Sequence, residues 1–257
     1  MQIELKNVSK TIKNKKLLDD VSFLFETGDI IGFIGNNGAG KTTTIKTIFQ
    51  EYNLTSGEIL FNGKPIGSDD LRGIEFFPDQ NNFPKNYKVK SYCQYNYMLS
   101  NPRANNGDFE KLFSDLADAL QLSDNLNSKF SQLSSGMQKR ALLLFVLITQ
   151  PNVLILDEPT ANLDVQSRKE FIGLLKTLSD KMHFAIMITS HNIDELETFV
   201  NKIVFIKEGR IVLTKKFDRT KESLNELYEK YIATDKPIIN EKKLEDIFKN
   251  SEGKNEK

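Results

Sequence analysis

At 257 residues, with 39% hydrophobic and 27% charged content, the chain is long enough to bury a substantial core and ordinary in composition for a globular protein. Its 35 Lys and Arg are matched by 35 Asp and Glu, so net charge gives no reason to expect a nucleic-acid or other polyanionic partner. The longest uninterrupted apolar run, residues 141–148, is too short to cross a bilayer, the N-terminus lacks a signal-peptide layout, and the single cysteine, Cys93, excludes an internal disulfide. A cytoplasmic location is expected, with Cys93 among apolar neighbours as a core filler.

Residues 2–8 alternate as a strand does, with Ile3, Leu5 and Val8 on one side. The basic stretch Lys10-Thr11-Ile12-Lys13-Asn14-Lys15-Lys16 is expected as a solvated turn. Residues 21–34 read as two strands joined by Thr27-Gly28-Asp29, a hairpin feeding a glycine-rich loop.

That loop, Gly35-Asn36-Asn37-Gly38-Ala39-Gly40-Lys41-Thr42, has the spacing Gly, four residues, Gly-Lys-Thr of a phosphate-binding loop, with Thr43 entering the next helix. The glycines let backbone N–H groups turn inward around an anion, in conformations and at distances that a Cβ resists. Lys41 is expected to reach the β- and γ-phosphates and Thr42 to ligate Mg²⁺, with the positive end of the helix directed at the phosphates. That helix runs from Lys41 to about Glu51. A short strand, residues 59–61, then turns at Asn62-Gly63.

From about Val89 to Thr149 the period becomes helical. Residues 91–100 form one segment and 108–122 another, with Phe109, Leu112, Phe113, Leu116 and Leu120 on one stripe. The turn-forming residues 101–107 separate them, and a third helix begins near Ser134 and stops before Pro151. This block interrupts a strand-rich chain as an inserted helical subdomain would, at about residues 83–150.

Val153-Leu154-Ile155-Leu156-Asp157 is the continuous apolar run of a parallel strand buried on both faces. A helix (165–179), a second buried strand (185–189), a short helix (193–200) and two strands joined at Glu208-Gly209 complete an alternating α/β pattern. Beyond about Phe217 the chain is charged and amphipathic, with a Leu224, Leu227, Tyr231 stripe and a frayed end at 251–257. Binding a nucleotide is not hydrolysing it, which needs a further carboxylate for Mg²⁺ and a group to orient the attacking water. Asp157, at the end of a buried strand, suits the first role, and Glu158 suits the second as a general base.

Together these motifs resemble the ATP-binding subunit of ABC transporters, over roughly residues 1–215, with 216–257 as an extension. Leu133-Ser134-Ser135-Gly136-Met137 is similar to the family's Leu-Ser-Gly-Gly-Gln signature, although Ser135 and Met137 depart from it. The resemblance implies an α/β P-loop NTPase core with a mainly parallel sheet, an N-terminal antiparallel β subdomain and the inserted helices. It implies ATP and Mg²⁺ as cofactors, Gln80 touching the metal, His191 contacting the γ-phosphate, and Asp164 in the loop between subunits. Ile12 falls where the family places an aromatic ring on the adenine, which leaves ATP the expected ligand and selectivity over GTP open. In the family the signature completes the ATP site of a second chain, so the resemblance implies a head-to-tail dimer in which Ser134 and Gly136 contact the partner's nucleotide. It further implies separate transmembrane permease subunits, to which the chain would be peripheral on the cytoplasmic face, and leans towards export. The alternative is a soluble ABC-type ATPase acting in translation or DNA maintenance, but the second cassette or long coiled coil usual there is not seen in this sequence.

Overall fold

The computed structural model describes residues 1–78, 85–190 and 192–233. Gln80, His191 and the end at 251–257 lie outside the described residues. Two sheets and a set of helices form three layers.

The first sheet is antiparallel, in the order β2-β1-β4-β5, from β1 (Gln2–Ile12), β2 (Lys15–Glu26), β4 (Ser56–Phe61) and β5 (Lys64–Pro65). Here the expected hairpin is corrected. β2 pairs with β1 through a two-residue turn at Lys13 and Asn14, both at positive φ (45° and 64°), so the basic stretch is strand on either side of a tight turn. The Thr27-Gly28-Asp29 segment instead carries the chain out of this sheet into β3 (Ile30–Ile34), the centre of the other. All five β3 residues are buried, and such a strand needs neighbours on both edges and cover on both faces.

The second sheet has the order β10-β9-β3-β8-β7-β6. Five strands are parallel: β6 (Ile74–Phe77), β7 (Val153–Asp157), β8 (Ala185–Thr189), β3 and β9 (Lys202–Lys207). The sixth, β10 (Arg210–Lys216), returns antiparallel to β9. The edge strand β6 was not expected, because Ile74-Glu75-Phe76-Phe77 is too short to show a period.

Successive residues of the central strands point to opposite layers. Ile31, Phe33, Val153, Ile155, Met187 and Val204 join a core with the antiparallel sheet and with Ile45 and Ile48 of α1 (Lys41–Ile48). Ile30, Ile34, Leu154, Leu156, Ile188 and Phe205 join the larger core with the helices. There α2 (Val89–Ser100), α3 (Asn106–Ala119) and α4 (Ser135–Leu147) come between β6 and β7 in the chain, and α5 (Val165–Met182) and α6 (Ile193–Glu197) follow β7 and β8. The expected stripe of α3 is realised: Phe109 and Phe113 are buried with ring centroids 5.1 Å apart, and an Asn105/Asp108 capping box starts the helix. Residues after β10 also enter this core, through Phe217 and through Leu224 and Ile232 at the two ends of α7 (Leu224–Tyr231).

Candidate nucleotide site

The phosphate loop leaves the carboxyl end of β3 and enters α1, at the centre of the parallel sheet, where open α/β sheets bind ligands. A Cβ on Gly35 would lie 2.3 Å from the Ile206 carbonyl oxygen, so only glycine allows β9 this close. Gly40, the residue before α1, sits at φ 116°, in the left-handed region. The first turn of α1 holds no acid, which leaves its amino end attractive to an anion. The β9–β10 turn supports the loop from below: Gly209 N–H donates to the Ala39 carbonyl at 2.8 Å, and Asp19 N–H donates to the Gly209 carbonyl at 2.8 Å.

Lys41 Nζ donates to the carbonyls of Gly35 (2.5 Å) and Asn36 (3.3 Å). Burial pushes its pKa down, and the negative charges of Glu158 and Asp157 pull partly the other way. Both carboxylates stand at the end of β7. Asp157 Oδ1 accepts from the Thr189 hydroxyl, Glu158 N–H donates to the Thr189 carbonyl at 3.1 Å, and the Ser190 hydroxyl meets Glu158 Oε2 at 3.4 Å. Glu158 itself adopts φ 46°, which turns its side chain out of the strand direction just beyond the sheet.

A cleft of about 580 Å³ gathers Asn37, Gly38, Gly40, Lys41, Thr42, Thr43, Asp157 and Glu158. It is also walled by Lys15, Lys16, Leu17, Glu208 and Gly209, none of which the sequence assigned to the site. Ile12 is not among the lining residues. It ends β1 opposite Lys15, with 37% of its surface exposed.

Ser134 and Gly136 lie elsewhere. The Ser134 hydroxyl caps α4 by accepting the Met137 N–H at 3.3 Å, and Gly136 borders a separate small cavity with Leu163, Ser167 and Phe171. Asp164 caps α5 across from it, accepting from Ser167 N–H at 2.9 Å and from the Ser167 hydroxyl at 2.7 Å, and these bonds hold its carboxyl below the usual range. Two further groups tie the site to its surroundings. Lys139, fully buried on α4, lies over the Phe77 ring and reaches the Glu158 carbonyl at 3.4 Å. Glu195 of α6 accepts from the Thr160 hydroxyl at 2.5 Å and pairs with Arg168 of α5 at 3.2 Å, fastening the turn after Glu158 to both helices.

A phosphate loop between two parallel strands, carboxylates at the next strand end but one and a helical block carrying an exposed capped N-terminus define a P-loop NTPase of the cassette type. The family model described as ABC transporter matches residues 18–161. An uncharacterised ABC transporter ATP-binding protein, YhcH of Bacillus subtilis, is 32% identical over 210 residues, covering 82% of this chain and 68% of that one. The lantibiotic transport ATP-binding protein SrtF of Streptococcus pyogenes is 32% identical over 237 residues, covering 91% of this chain and 99% of SrtF. Among solved structures, an ATP-binding subunit of an ABC transporter superposes with a TM-score of 0.78 at 24% identity over 90% of this chain and 99% of that one. A dimeric bacterial ABC transporter cassette does so at 0.74 and 24%, over 84% and 99%. At these identities the structures speak for the fold. The chain belongs to the ABC transporter family, as one of its ATPase cassettes. Among the described residues no helix is long and apolar enough to cross a membrane.

Proposed function

We propose that the chain is the ATP-hydrolysing motor of a transporter, working as a head-to-tail pair on separate transmembrane subunits. The observation that carries this reading is a separation: Lys41, Thr42, Asp157 and Glu158 share one cleft, while neither Ser134 nor Gly136 lines it and Gly136 borders a different cavity. A second chain bringing its own α4 N-terminus to the cleft would complete an anion site that one copy leaves half-built. The nucleotide phosphates would take over Lys41 from the carbonyls of Gly35 and Asn36. Thr42 and Asp157 offer the hard oxygen donors that Mg²⁺ requires, and they line the same cleft. When bound there, the ion would neutralise phosphate charge.

Glu158, with the Ser190 hydroxyl beside it, would take a proton from the attacking water. Gln80 and His191 would complete the site, on the family resemblance. Because ATP favours the closed pair, binding drives closure and hydrolysis releases it. The export direction rests on the resemblance alone.

The test is Glu158→Gln. It should bind ATP, lose at least about 100-fold in turnover, and accumulate as an ATP-dependent dimer by size-exclusion chromatography. Turnover at the parent rate would remove Glu158 from the mechanism.

A further inference from the structure

The residues assigned to the cleft all precede α7 in the chain, yet α7 bonds both to α6 and to the phosphate loop. The helix is fixed to the body by the fully buried Leu224 and by Ile232 just past its end, and the Tyr231 ring stands edge-on to Phe205 of β9 at 6.4 Å. On one side it holds α6: Leu224 N–H donates to Glu197 Oε2 at 3.0 Å, and the Asn225 amide donates to Asp194 Oδ1. Asn192 caps α6, and its N–H donates at 3.1 Å to the same Ser190 hydroxyl that meets Glu158. On the other side the Tyr228 hydroxyl donates to Asn36 Oδ1 at 3.0 Å, a bond between residues 192 apart in the chain.

Asn36 is the second residue of the phosphate loop, and its carbonyl accepts from Ala39 N–H at 3.0 Å and from Lys41 Nζ. Residues 36–38 are exposed, and Gly38 sits at φ 77°. Such a segment has few apolar contacts to order it, so a ligand that needs it ordered bears that entropy cost on binding. A hydroxyl presented by a packed helix removes part of the cost in advance.

We infer that Tyr228 is a positioning residue for nucleotide binding: its hydroxyl holds Asn36, and with it the exposed arm of the phosphate loop, in the conformation that receives the phosphates. Affinity for nucleotide is thereby made to depend on the C-terminal helix. The inference rests on the nucleotide reading of the cleft given above.

Tyr228→Phe keeps the ring and removes only the donor. With the full chain and Mg-ATP, Tyr228→Phe and Asn36→Ala should each raise Kd roughly threefold to tenfold, the size expected of one neutral hydrogen bond. The double variant should be no weaker than the worse single one, because both remove the same bond. KM should rise more than kcat falls in Tyr228→Phe, a split that general loosening of the fold would not produce. Parent-like or tighter binding by Tyr228→Phe, or effects that multiply in the double variant, would overturn the assignment. If the parent chain itself fails to bind Mg-ATP, the nucleotide reading falls with it. A parent that binds beside an indifferent Tyr228→Phe removes Tyr228 alone.

Discussion

Lys41 and Glu158 are the residues whose surroundings say most about their chemistry. Lys41 is held against the carbonyls of its own loop with its pKa pushed down by burial, so a polyphosphate offers it better partners than it has. Glu158 is held by main-chain and hydroxyl bonds from the end of β8, which restrain its carboxylate as the proposed general base would require. Ile12 raises a sharper question, because the lining on its side of the cleft is supplied by Lys15, Lys16 and Leu17. Base–aromatic stacking contributes about 1–3 kcal/mol in nucleic-acid complexes, so Ile12→Tyr should tighten ATP binding by roughly tenfold if residue 12 lies over the base. Equal affinities by fluorescence titration would place the base elsewhere. The phosphate loop was legible residue by residue because the demands on it are local ones of backbone conformation and close approach. Lys15, Lys139 and Tyr228 were not, since only folding brings Lys15 to the cleft wall, Lys139 to the Glu158 carbonyl and Tyr228 to Asn36.

At the scale of elements, the buried runs were legible and the short or partnered ones were not. Residues 153–157 and 185–189 are continuous apolar runs, and both are strands of the parallel sheet with every residue but Asp157 buried. The four residues of β6 are too few to show a period, and one of them is a largely buried acid. Burial raises the pKa of Glu75 from an ordinary 4.5 to about 7, although hydrogen bonds from Thr149 and Asn96 oppose the shift. Between those two values the folded state binds a proton that the unfolded state does not. Its stabilising contribution is therefore complete below pH 4.5 and is lost as pH rises through about 7. A shift of this size corresponds to roughly 3 kcal/mol. Glu75→Gln should accordingly gain on the parent as pH goes from 5 to 8, read as denaturant midpoints across that range. Parallel midpoints for the two proteins would mean that Glu75 is not buried as a charge.

At the scale of the whole molecule, the cleft is lined by neither Ser134 nor Gly136, and in the proposed head-to-tail pair a second copy would bring its own α4 N-terminus to it. A Lys41→Ala chain mixed with a Ser134→Arg chain tests this. The mixture can form a pair in which both defects fall on one composite site and the other site is intact, so ATPase activity should exceed that of either variant alone. Activity equal to the average of the two would remove support for the shared site. By itself the sequence determined the family, the phosphate loop, the carboxylate pair and the buried strands at residues 153–157 and 185–189. These are properties of short segments, dictated by backbone geometry and by apolar runs that can only be interior. The tertiary structure decided that β2 pairs with β1 while β3 joins the parallel sheet, that basic residues of the first hairpin wall the cleft, and that α7 returns to the phosphate loop. Pairing and docking are settled by which buried faces meet, and no single segment encodes that.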